Sequence, residues 1–203
     1  MTDKVVFYTN PQSRGRLVHL MLEELGAPYE MRVLDFQKRE HKAPEYLAIN
    51  PMGKVPAIVH RGVVVTETGA ISVYLADEFP AKGLAPKIGH PQRGTYLRWF
   101  FFGAACFDAA IIDKVLERPP VQRTSAVGYG TLEDTVNALE KALSPGPYIL
   151  GERFSAVDLY VGSQIIHGMM TKAIEPRPVL QKYADRIMAR PVVQRLNQGA
   201  RSS

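Results

Sequence analysis

The pattern of apolar and polar positions changes once along the chain, near Pro80. Before that point short β-rich runs alternate with helical stretches. VVFYT (5–9) reads as a strand, and Leu17, Met21 and Leu25 then recur every fourth residue, with Gly26 placed as a helix stop. YEMRVL (29–34) alternates in period two and predicts a second strand. After a polar, Pro-containing link come VPAIVH (55–60) and VVVT (63–66), joined by Arg61-Gly62; this spacing predicts an antiparallel hairpin. A helix from about 68 to 79 then places Ile71, Tyr74, Leu75 and Phe79 on one side.

The predicted order is β-α-β, an irregular link, then β-β-α. The first unit implies a parallel pair with a crossover helix, and the hairpin extends the same sheet. Four strands with helices on both faces is a thioredoxin-like α/β arrangement. FPAKGLAPKIGHP has no periodicity and reads as a linker. Everything beyond it is helical in pattern, with helices predicted at about 91–117, 121–143, 155–172, 178–189 and from Pro191. The expected division is therefore 1–79, a linker at 80–90, and an all-helical part at 91–203. Ser155-Ala156-Val157-Asp158 reads as a capping box, with Phe154 expected to staple onto Leu159.

Composition narrows the function classes. A chain of 203 residues with 46% hydrophobic and 22% charged content has ample core for two small units. The opening MTDKVVFYTN lacks the apolar core of a signal peptide. LRWFFFGAACFDAAII is interrupted by Arg98 and Asp108 and reads as too short to span a bilayer. The expectation is a cytoplasmic protein with no membrane association. The lone Cys106 excludes an internal disulfide framework and a Cys-x-x-Cys pair, so thiol chemistry falls to this residue or to a ligand's thiol. The net charge of +5 is spread along the chain, which argues against nucleic acid and for a mild attraction to small anions.

Five landmarks then occur in order: Ser13-Arg14-Gly15-Arg16 opening a helix that ends LEELG, NPMGKVPAI, TETGAISVYLAD, FSAVDLY and RPVVQR. Together they resemble the glutathione transferase family over nearly the whole chain, and most closely its theta-like and related bacterial classes that use serine. The resemblance implies the glutathione transferase fold, glutathione as co-substrate, a homodimer, a detoxifying role and no metal.

Glutathione presents a thiol, two carboxylates, an amine and two peptide bonds. Ser13 stands where a helix N-terminus offers N–H groups and positive potential, which favours a thiolate. Its implied role is to donate a hydrogen bond to the sulfur; the plainer reading is a helix cap. Tyr8 and Asn10 are its rivals: Tyr8 as a donor or a packed strand residue, Asn10 as an orienting group or the holder of an Asn-Pro turn. Arg14 and Arg16 are placed to steer anions. The resemblance makes Val55-Pro56 a cis peptide whose first residue pairs with the cysteinyl backbone; a proline opening a strand fits the same sequence. Glu67 and Thr68 suit the γ-glutamyl end, and His41 and Lys54 the glycyl carboxylate. The second substrate, a small hydrophobic electrophile, is implied to lie between the halves, against Phe102, Cys106 and Phe107. The same residues at helical spacing also suit a core.

The leading expectation is transfer of glutathione to such an electrophile by thiolate attack. A glutathione-dependent disulfide or peroxide reductase, and a non-catalytic ligand-binding or regulatory protein of the same fold, are the alternatives.

Overall fold

The structure is a computed structural model describing residues 3–199. The chain divides into two compact units, one ending at Leu84 and the other beginning at Ala85.

In the first unit, β1 (Val5–Thr9), α1 (Gly15–Leu25) and β2 (Tyr29–Val33) are followed by a 3-10 turn at Glu40–Lys42 and the single-turn helix α2 (Pro44–Leu47). Then come β3 (Ala57–His60), β4 (Val63–Thr66) and α3 (Thr68–Glu78). The sheet order is β2-β1-β3-β4, with β1 and β2 parallel and the other pairs antiparallel. The strand expected from residue 55 starts at Ala57, and the link expected to be irregular contains α2.

Local chemistry explains these elements. β1 buries Val5, Phe7 and Thr9 on one face, and α1 lays Leu17, Val18, Met21 and Leu22 into the core. Gly26 ends α1 at φ 63°, a left-handed cap. The hairpin turns on Arg61 and Gly62, both at positive φ (50° and 81°), the twist that two-residue hairpin loops require. Arg61 also reaches Asp3 and Glu78, and the fully buried His60 beside it meets Tyr74 Oη at 2.9 Å through Nδ1.

The register sets the site. Tyr8 pairs with Ala57 and Ala57 with Thr66, while Thr9 pairs with Val33. The segments that leave β1, β2 and β4, and the one that enters β3, therefore share one end of the sheet.

The second unit opens with α4 (Arg93–Phe102), a π-helical turn at Gly103–Phe107 and α5 (Asp108–Val115). It continues through α6 (Leu132–Leu143), α7 (Ala156–Met170), α8 (Pro178–Met188) and α9 (Pro191–Gly199). The helical run Arg93–Val115 has 23 residues and is long and apolar enough, by length and composition, to cross a membrane. This corrects the expectation drawn from its apolar stretch alone. Tyr96, Trp99, Phe100, Phe107 and Ile111 along it are buried within the unit.

The helix expected at 121–143 begins only at Leu132. Gly130 breaks the chain at φ 64°, and Thr131 caps the helix: Asp134 N–H donates to Thr131 Oγ1 at 3.1 Å and Thr131 N–H to Asp134 Oδ2 at 3.0 Å. At the start of α7 the buried Asp158 accepts from the Ser155 N–H and hydroxyl, both at 2.8 Å. It also accepts from Ile149 N–H at 2.8 Å and Tyr183 Oη at 2.9 Å. The Phe154 ring stacks edge-on with Tyr148 beneath the Arg190 guanidinium.

Candidate functional site

The turn leaving β1 is held by Asn10. Its Nδ2 donates to Leu34 O at 2.8 Å and its Oδ1 accepts from Gln12 N–H at 2.8 Å. The amide thus ties the end of β1 to the end of β2 and closes the Asn-Pro turn, the holding role of the two that its sequence allows. Gly15 brings α1 hard against β1: a Cβ there would lie 2.0 Å from Thr9 Oγ1.

Ser13 is half-buried in this turn. Its hydroxyl donates to Asn10 O at 2.6 Å and accepts from Gly15 N–H at 3.0 Å. It therefore meets the first N–H of α1 from one residue before the N-cap, Arg14, and the helix has no acidic residue in its first turn. The positive end of α1 stays unneutralised from within the helix, which suits an anion. Tyr8, by contrast, lies on the sheet face opposite Phe7 and Thr9. Its ring meets Tyr46 at 5.5 Å and lines a crevice with Leu34, Ala43 and Ile49.

At the same end of the sheet the Val55–Pro56 peptide is cis, and Val55 lies just outside the ladder that starts at Ala57. Lys54 before it is exposed, but its carbonyl is fixed by Tyr46 Oη at 2.5 Å and Asn50 Nδ2 at 2.8 Å. Asn50 also accepts from Met52 N–H at 3.1 Å, and Gly53 completes the turn at φ 58°. A Cβ on Gly53 would stand 2.7 Å from His41 O. Residues 41 and 53–54, far apart in sequence, are thus packed against each other. His41 keeps a buried Nδ1 without a hydrogen-bond partner and sets its ring edge-on to Phe36 at 4.8 Å.

Glu67 follows β4 with φ 65° and ψ 119°, a backbone conformation that non-glycine residues rarely hold and that tends to occur at functional sites. It is exposed, while Thr68 opens α3 half-buried, its carbonyl taken by Ser72 Oγ at 2.7 Å. The first turn of α3 also lacks an acid.

In the helical unit Phe102 is half-buried and edge-on to Trp99 at 5.0 Å. Cys106 is half-buried, with Sγ donating to Gly128 O at 3.3 Å. Phe107 is wholly enclosed in the core and has no surface for a substrate, which corrects its expected place beside Phe102 and Cys106. Among the described residues no group of three or more His, Cys, Asp and Glu is arranged to hold a metal ion. Tyr46 and Asn50, the two residues that fix Lys54, are not among the residues the sequence pointed to. The Asn50-Pro-x-Gly turn signal was present; nothing local marked the tyrosine.

Residues 4–77 match the model for the glutathione S-transferase N-terminal domain, and residues 111–197 that for the C-terminal domain. Glutathione S-transferase 1 of Dianthus caryophyllus is 28% identical over 171 residues, 81% of this chain and 77% of its own. A sphingomonad glutathione S-transferase solved with glutathione aligns with a TM-score of 0.77 at 29% identity, over 96% of this chain and 98% of its own. A Sulfitobacter glutathione transferase homologue with bound glutathione aligns at 0.76 and 25% identity, over 98% and 99%.

Proposed function

The chain belongs to the glutathione S-transferase family, and from that premise we propose that it transfers glutathione to a small hydrophobic electrophile. The carrying observation is the register Tyr8–Ala57–Thr66, which gathers the Ser13 turn, Val55–Pro56 and Glu67–Thr68 at one end of the sheet. Solved relatives described as holding glutathione support the choice of co-substrate.

In this reading the γ-glutamyl carboxylate meets Thr68 at the start of α3, and Glu67 receives the ligand's ammonium. The cysteinyl backbone pairs with Val55. Lys54, with His41 beside Gly53, takes the glycyl carboxylate. The thiol lies at the start of α1. Ser13 turns its hydroxyl from Asn10 O to the sulfur, while Gly15 N–H still holds the oxygen. Asn10 positions this turn rather than touching the thiol. The proton leaves to solvent, the thiolate forms the new S–C bond, and the leaving group departs with its electron pair. The helix N-terminus and one charge-assisted hydrogen bond favour the thiolate over the thiol. Phe102 and Cys106 are assigned to the electrophile side. The reading includes a homodimer, implied by the family resemblance, and a cytoplasmic protein without a membrane or nucleic-acid partner, as the opening residues, lone cysteine and spread charge suggest.

The test is calorimetric titration of wild type and Ser13→Ala with glutathione, paired with thiolate absorbance and turnover of a model electrophile. Both proteins are expected to bind. Thiolate fraction and turnover should fall roughly 10- to 100-fold in the variant, the loss of a hydrogen bond to a charged group. Equal turnover would reduce Ser13 to a helix cap. Absence of binding by wild type would remove the reading. Turnover of a model disulfide or peroxide without conjugation would replace it with the reductase.

A further inference from the structure

The carbonyl of Asn10, in the turn between β1 and α1, faces three donors. Ser13 Oγ gives it a hydrogen bond at 2.6 Å and Ser13 N–H one at 3.0 Å. Thr9 Oγ1 approaches the same oxygen at 3.5 Å, long for a hydroxyl. A carbonyl oxygen has two lone pairs, and Ser13 already answers both, which leaves the threonine standing off. Among the described residues no other acceptor meets the Thr9 hydroxyl.

Two features make this more than packing. On the face of β1 that holds Thr9, the other residues are the apolar Val5 and Phe7, so a buried hydroxyl is kept where an apolar side chain would fit. A Cβ on Gly15 would stand 2.0 Å from Thr9 Oγ1 and 3.0 Å from Ser13 Oγ, so only the bare glycine lets both hydroxyls reach one carbonyl. Asn10 is itself buried, and a donor lost from its carbonyl is not freely replaced by water.

We infer that Thr9 is a positioning residue for the thiolate: its hydroxyl closes on the Asn10 carbonyl as the Ser13 hydroxyl turns away to the sulfur. The carbonyl then keeps two donors in both states, and the serine is released at little cost. No covalent bond changes; one hydrogen bond is handed from one side chain to the other. The inference rests on the transferase reading above, which gives the Ser13 hydroxyl to the sulfur. It lies wholly within the first unit and involves no electrophile.

Thr9→Ala removes the hydroxyl without crowding Gly15, and Thr9→Ser keeps it. Each variant is titrated with glutathione near pH 5, where the thiol is protonated, and ionisation of the bound thiol is then followed by thiolate absorbance as pH rises. Affinity in the acid titration should stay within about two-fold of wild type, because Ser13 still holds Asn10 there. The ionisation constant of the bound thiol should fall roughly three- to ten-fold in Thr9→Ala, the effect of one lost hydrogen bond. Thr9→Ser should restore it to within about two-fold of wild type. On a Ser13→Ala background, Thr9→Ala should change it by less than about two-fold, since no serine hydroxyl is left to release.

An unchanged ionisation constant in Thr9→Ala overturns the inference, as does an equal fall in Thr9→Ser, or the same fall without Ser13. Thr9→Val, which keeps the shape of the side chain, decides in the same way where Thr9→Ala fails to fold. Ser13→Ala separates this inference from the reading beneath it. A fall in Ser13→Ala with none in Thr9→Ala leaves the transferase site standing and makes Thr9 a packing residue. No fall in Ser13→Ala removes the sulfur role of Ser13 and the inference with it. Wild type that binds no glutathione removes both.

Discussion

Tyr46 donates its phenolic hydrogen to the Lys54 carbonyl at 2.5 Å, joining the one-turn helix α2 to the residue before Val55–Pro56. Burial pushes the phenol up to about 12, so it stays protonated and a donor at neutral pH. Tyr46→Phe should lower stability by about 1 kcal/mol and weaken glutathione several-fold, as Asn50 alone then holds Lys54. Denaturant midpoints and calorimetry check both. Unchanged glutathione affinity would separate α2 from the site.

Gly53 is a second control point. Its φ of 58° and its approach to His41 O exclude a side chain. Gly53→Ala should cost about 1–2 kcal/mol and weaken glutathione more than Ser13→Ala does, because it displaces His41 and Lys54 together. The comparison of dissociation constants for the two variants decides. An alanine that leaves both stability and binding intact would refute the packing argument.

Asp158 answers four donors in the helical unit. Asp158→Ala strands the Ile149 and Ser155 N–H groups and leaves the buried Tyr183 hydroxyl only the 3.3 Å contact with the carbonyl of residue 158. It should cost about 3–5 kcal/mol or prevent folding of that unit. Chemical denaturation followed at Trp99 would reveal it; a loss below about 1 kcal/mol would mean water replaces the carboxylate.

His19 gives the acid limb of stability. Its Nε2 meets Tyr29 Oη at 2.7 Å, and Tyr29 in turn donates to Glu23. Burial, ahead of the opposing Glu23 charge, holds the imidazole below its ordinary 6.5. The unfolded chain therefore takes up this proton at a higher pH than the folded one. Stability should fall as pH drops below 6.5, levelling once the folded imidazole also protonates. His19→Gln should flatten that slope, read from denaturant midpoints at several pH values. A slope unchanged by the substitution would assign it to other groups.

The sheet was legible in the sequence because its signals are local. VVVT needs only its own run of β-branched residues, and Arg61-Gly62 only the turn chemistry of two residues. The segments proposed for glutathione are named through the family resemblance that their landmarks carry together, each being weak alone. The link between Val33 and Lys54 was not legible, because side chains bonding to distant backbone hold it: Glu40 to Asp35 N–H, Asn10 to Leu34, Tyr46 and Asn50 to Lys54. No periodicity records such bonds. The start of α6 was misplaced although Gly130 and the Thr131–Asp134 box were in view, since apolar spacing was read across them. Cys106 and Phe107 are neighbours on one helix, and only the packing shows that one has surface while the other has none.

The hairpin formed by β3 and β4 is open at the end that carries Val55–Pro56 and Glu67–Thr68, and closed at Arg61-Gly62. Lengthening the closed end by a few residues leaves the pairing of Ala57 with Thr66 as it is. One residue inserted between Val63 and Thr66 would instead turn every later side chain to the opposite face of the sheet. Evolution and protein engineering thus meet two kinds of ground in one ten-residue hairpin: a tip where insertions and tags are tolerated, and strands whose spelling must keep its length.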